Sequence, residues 1–172
     1  MSFPAPTANA SLDTLPDEAR VWVYATDREL APDEQEAIVE RMQPFFDKWQ
    51  SHGRRVTGAA AVLYGRFVVL AATLESGDIS GCGIDASVQA LEPLGSELGF
   101  GFCNPLDVQY RTGEGSIVSV DRLQFKEAAH RGLVNADTEV ANPDVRTLGA
   151  LRKNGLLVRA GDSWHARVFD LN

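Results

Sequence analysis

Apolar positions along the chain follow two periods, and the switches between them lay out the elements. Arg20-Val21-Trp22-Val23-Tyr24 alternates and is rich in β-branched and aromatic residues, as a strand with one buried face should be. Pro32 followed by Asp33, Glu34 and Glu36 marks a helix start, with proline in the first turn and acids at the positive end of the dipole. Ile38, Met42, Phe45, Phe46 and Trp49 then recur at helical spacing and predict a core stripe. Pro44 lies inside that stripe and has no N–H to give, so a kink is expected there. His52-Gly53 comes next: Gly53 reads as the left-handed residue that ends the helix, and His52 as a cation capping its C-terminus.

Two apolar runs, Val56 to Tyr64 and Arg66 to Leu74, are separated by Gly65 and predict an antiparallel hairpin. Val68 to Ala72 is apolar on both faces, which predicts a central strand covered by helix. Ile84, Val88, Leu91, Leu94 and Leu98 predict a second amphipathic helix containing Pro93, and Asp107 to Arg111 a further strand. The order is that of a split βαββαβ unit: an α+β fold with a ferredoxin-like antiparallel sheet and helices on one face. Ser116 to Val120 reads as a strand, Gln124 to Arg131 as a short helix and Leu148 to Lys153 as a helical turn. Leu156 to Val158 and Ala166 to Phe169 read as a terminal strand pair. This C-terminal β-containing extension is expected to extend or cover the sheet. Residues 1 to 18 are rich in Pro, Ala and Ser and read as a mobile tail, leaving 19–172 as a single globular domain.

Composition narrows the class of partner. A chain of 172 residues with 44% apolar content can bury a sizeable core, and it has no apolar run of membrane-spanning length. A net charge of -8 argues against nucleic acid and anionic membranes, which attract basic surface. Thirteen arginines against three lysines, on an acidic background, suit a high-salt interior. The two cysteines, Cys82 and Cys103, make no disulfide framework, and the first residues carry no basic-then-apolar signal, so a cytoplasmic setting is expected.

The stretch with the most chemical promise is Ser80-Gly81-Cys82-Gly83-Ile84-Asp85, between the hairpin and the second helix. Unsatisfied N–H groups and the dipole at a helix start stabilise a thiolate, so Cys82 can be read as a nucleophile. Ser80, Gly81 and Gly83 would let an anion approach the backbone amides. Nearby Asp78 and Asp85 would oppose a thiolate. The alternative is a tight turn shaped by the glycines, with Cys82 as a small buried hydrophobe. A nucleophile needs a base and an orienting group, and His52 or His165 with Asp85 or Asn142 completes the only such set.

The segments Arg20 to Tyr24, Trp49-Gln50-Ser51-His52-Gly53, Arg66 to Leu70, Ser80 to Asp85 and Ser163-Trp164-His165-Ala166-Arg167 resemble a family of small uncharacterised proteins common in Bacteroidetes and relatives. The resemblance spans about residues 20 to 167, with glycine at 83 where that pattern more often has serine. Members often carry the label of ABC-transporter ATPase. None of Lys48, Lys126 and Lys153 follows a glycine, so the phosphate loop such an ATPase needs is absent. No G-x-G-x-x-G dinucleotide fingerprint and no metal-ligand spacing occur either, and no cofactor or metal is expected. Acylphosphatase-like enzymes share the predicted element order, but the segment from Tyr24 to Pro32 lacks their glycine-rich phosphate loop.

Three functional expectations follow. One is a module binding a small anionic ligand or a protein partner at the Ser80–Asp85 helix start. The second is a thiol-dependent enzyme or redox-responsive protein using Cys82. The third is a homo-oligomeric structural subunit built around Trp22, Trp49 and Trp164.

Overall fold

β1 (Arg20–Ala25) lies at the edge of a three-stranded antiparallel sheet of order β1-β5-β4, with β4 (Thr57–Leu63) and β5 (Phe67–Thr73) as the expected hairpin. Val23 stands opposite Val69, and Ala61 opposite the same residue from the other side. β5 is therefore the central strand, which is why Phe67 to Ala72 is buried without alternation. The computed structural model describes residues 12–142 and 145–171.

Two helices cover one face of this sheet. α1 (Pro32–Lys48) starts at Pro32 as predicted and continues through Pro44, burying Ile38, Met42 and Phe46. α2 (Gly81–Leu98) buries Leu91 and Leu94 beside them, and Gly99 ends it in the left-handed conformation with φ 73°. Trp49 packs with Phe45 and Phe46 under the same face.

The predicted role of His52-Gly53 is corrected. α1 ends at Lys48, and the pair instead forms the turn between β2 (Gln50–Ser51) and β3 (Arg54–Arg55). Both residues have positive φ, 51° and 74°, as a two-residue turn of the hairpin-favouring kind requires. Gly53 has the expected left-handed backbone, but it serves the β2–β3 turn and not the end of α1.

The second half builds a sheet of its own, order β7-β6-β8-β9, from β6 (Val108–Arg111), β7 (Ile117–Val120), β8 (Glu139–Ala141) and β9 (Leu157–Arg159). The strand expected at Asp107 to Arg111 exists, but it pairs with β7 and β8 and not with β1. α3 (Arg122–His130) and α4 (Leu148–Asn154) match expectation. Ala166 to Phe169 does not form a strand: α5 (His165–Val168) is a short helix, and Phe169 turns inward against Phe125.

The second half covers the face of the first sheet that α1 and α2 leave open. Val21, Ala61, Phe67 and Val69 share a core with Ile117, Leu148, Leu151 and Leu156. The N-terminal segment also enters this core, against the expectation of a mobile tail to residue 18. Leu12 and Leu15 are buried, and the Arg152 guanidinium donates to both of their carbonyls and pairs with Asp17. Residues 1–11 of that tail lie outside the described residues.

Candidate functional site

The outer edge of β1 is paired at its two ends and open in the middle. At one end Val21 N–H donates to the Arg146 carbonyl and Leu148 N–H to the Ala19 carbonyl, each at 2.9 Å. At the other, Cys103 N–H donates to the Ala25 carbonyl and Asp27 N–H to the Gly101 carbonyl, also at 2.9 Å. In an antiparallel ladder alternate residues turn their backbone groups to the same side, so Val21, Val23 and Ala25 all face outward. Val23 N–H and C=O have no hydrogen-bond partner among the described residues.

The reason lies in the chain between the two pairings. Residues 101–103 and 146–148 both run antiparallel to β1, with bridges Thr26 to Phe102 and Arg20 to Thr147. Between them the chain departs at Asn104, whose side-chain and backbone oxygens accept from Leu106 and Asp107 N–H in a tight turn, and Pro105 has no N–H for a ladder. It then builds β6, β7, α3 and β8 before returning at Val145.

The opening is a cleft of about 670 Å³ between β1 and the second sheet. Val23, Ala141 and Leu156 supply apolar lining, and Cys103, Asn104 and Gln109 polar lining. Among the described residues its charged lining is Arg20, Arg122 and Arg146 against Asp107, in a chain where 24 acidic residues outnumber 16 basic ones. Arg20 also bonds Asp78 at 2.8 Å, and the Arg122 guanidinium sits 5.3 Å from the Trp164 ring centroid. Arg146 is exposed. A cleft of this lining can hold a carboxylate by charge-assisted hydrogen bonds and an amide against the open strand edge.

Of the residues singled out by sequence, His165 lines this cleft. It is buried, stacked on Trp164 at 4.0 Å, and its Nδ1 lies 2.8 Å from Ser163 Oγ. Asn142 lines it as well, its N–H donating to the Leu156 carbonyl. Ser80, Gly81, Cys82, Gly83, Asp85 and His52 line neither this cleft nor two shallower ones, along Arg54 to Ser76 and Lys153 to Arg167. The expected Cys82–histidine pair is not made among the described residues: Cys82 is an exposed free thiol, and neither His52 nor His165 hydrogen-bonds it. The buried alternative for Cys82 is overturned too.

The Ser80–Asp85 stretch has a structural job. Ser80 Oγ caps α2 by accepting from Gly83 N–H at 3.2 Å, and Ser80 N–H donates to Ser51 Oγ at 3.0 Å. Trp49 Nε1–H donates to the Gly83 carbonyl at 3.0 Å. A Cβ on Gly83 would lie 3.0 Å from Ile79 Cγ2, so glycine lets the helix start sit close to the preceding loop and the β2–β3 hairpin. Burial raises the Tyr24 hydroxyl pKa, a hydrogen bond with Ser87 opposes it, and the Asp85 charge adds a smaller upward push.

Sequence reasoning missed Val23, Arg146 and Cys103. The signal for the first was available in principle: Phe102-Cys103 followed by Asn104-Pro105 is a strand fragment cut short by turn residues. Cys103 is held by its thiol, which donates to the Thr26 carbonyl at 3.2 Å. No family model matches the chain, and no curated protein or solved structure matches it.

Proposed function

We propose that this protein is a small-ligand-binding module whose ligand carries a carboxylate and sits in the cleft along β1. The carrying observation is the unpaired Val23 backbone at the open middle of β1, inside a cleft whose charged lining among the described residues is three arginines and one carboxylate. In water-exposed surface such a charge contrast decays over about a Debye length, roughly 8 Å, so it acts on what enters the cleft. The expected anion-binding class is kept, and its place moves from the Ser80–Asp85 helix start, where the capping and packing contacts are internal, to the strand edge.

The fold supports the same reading. On this reading 101–103 and 146–148, each bridged antiparallel to β1, stand for two halves of the fourth strand of the expected ferredoxin-like order, separated by the excursion that forms the second sheet. A broken strand in a covered sheet leaves a polar slot in an otherwise apolar wall. Two free cysteines fit a reducing, cytoplasmic setting.

Glutarate serves as the first probe. At low ionic strength it should raise the melting temperature, the shift should fade with salt, and Arg146→Glu should abolish it while Cys82→Ser leaves it intact. A shift that survives in Arg146→Glu places the anion elsewhere and ends this reading.

A further inference from the structure

We infer that the ligand is a short free peptide of at most three residues, bound as the missing middle of the broken fourth strand. The inference rests on the cleft reading above and adds to it the identity of the backbone groups.

Cys103 stands opposite Ala25 and Arg146 opposite Val21, since Thr26 pairs Phe102 and Arg20 pairs Thr147. Three strand positions, those facing Tyr24, Val23 and Trp22, separate them. At about 3.4 Å per residue the span is about 10 Å. A longer strand cannot pass, because both ends of the slot are occupied by the protein's own chain. The same direction that 101–103 and 146–148 share fixes the ligand antiparallel to β1, with its N-terminus toward Cys103 and its C-terminus toward Arg146.

Each end then meets complementary chemistry. The carboxylate falls beside the Arg146 N–H and guanidinium, in the place where a continuing strand would have put the preceding residue. The ammonium falls beside the Cys103 carbonyl, on the side of the slot from which the loop to Asp107, an acidic residue of the lining, departs. The middle residue pairs Val23 by two hydrogen bonds: its N–H donates to the Val23 carbonyl, and its C=O accepts from Val23 N–H. Its side chain shares the face of Val23, toward Ala141 and Leu156, which favours a small apolar residue. The flanking side chains share the other face with Trp22 and Tyr24.

Trialanine is the test ligand, titrated calorimetrically into the full chain. It should bind, and acetylated, amidated trialanine should bind about tenfold or more weakly, since each lost charge-assisted contact forfeits a factor of that order. Trialanine N-methylated at its central residue should lose binding similarly. Val23→Pro removes an outward N–H that β5 does not use and trims a side chain at the margin of the shared core, so the variant should keep the fold by circular dichroism and lose the peptide. If Val23→Pro fails to fold, the N-methylated peptide still decides. Equal affinity for the methylated or the capped peptide overturns the inference. Binding of glutarate but not trialanine would leave the carboxylate cleft standing and remove the peptide, whereas binding of neither removes both.

Discussion

Trp49 shows how much of the conspicuous glycine-flanked stretch is architecture. Its indole N–H is a second donor to the Gly83 carbonyl, which lies within α2, so Trp49→Phe removes the tie between the helix start and the end of α1 while the helical bond to that carbonyl remains. A loss of about 0.5–1.5 kcal/mol is expected, read as a lower urea midpoint. Cys82 behaves oppositely. Its side chain is exposed, so Cys82→Ser should change stability by no more than about 0.5 kcal/mol. Iodoacetamide should label Cys82 in the folded protein well ahead of Cys103, whose thiol bonds the Thr26 carbonyl. Mass spectrometry of the two peptides reads both, and preferential labelling of Cys103 would contradict the placement.

Among elements, the junction of α1 with the end of α2 has a pH signature. Arg28 bonds Glu34 through both guanidinium nitrogens, at 2.6 and 2.8 Å, and also donates to the last carbonyls of α2, Leu98 and Gly99. The hydrogen bond from Arg28, first, and that from Ala31 N–H hold the Glu34 carboxyl down to about 2, below its unfolded value of 4.5. A lowered carboxyl stabilises the folded state above pH 4.5, and that contribution is lost as pH falls toward 2. Glu34→Gln should flatten the decline of the melting temperature across that window. An unchanged slope would show that the pair is solvated away.

This junction was half legible: Pro32 with Glu34 announced the helix start, whereas the reach of Arg28 across to α2 depends on a chain separation of about seventy residues that no local pattern encodes. The same holds for the strands. The alternating run at 20–24 and the continuous apolar runs at 56–64 and 66–74 are local signals, and each corresponds to a strand. Which strand pairs with which is decided by tertiary closure, so the local pattern at Asp107 to Arg111 marks a strand without marking β7 and β8 as its neighbours. Ala166 to Phe169 is too short for either period to discriminate. The cleft was illegible for a related reason, since it consists of backbone groups left unpaired between two distant segments.

At the scale of the molecule, the two sheets share one core through Val21, Phe67, Ile117 and Leu156, which should make them unfold together. Trp22 and Trp49 report on the first half and Trp164 on the second. A Trp22→Phe/Trp49→Phe protein, whose fluorescence comes from Trp164 alone, should melt at the same urea concentration as its far-ultraviolet circular dichroism. Separate midpoints would show two independent units. Ile117→Ala, in the second sheet, should likewise lower amide protection in β5 of the first, by about 2–5 kcal/mol if the cavity does not collapse. The two pairings that bracket β1 have one more consequence. Fibril growth by edge addition needs a free, uninterrupted run of backbone, and here the Gly101–Cys103 and Arg146–Leu148 segments act as stoppers at either end. Another copy's strand finds no continuous run to pair with there, so the open middle of β1 is shielded from edge-to-edge self-assembly.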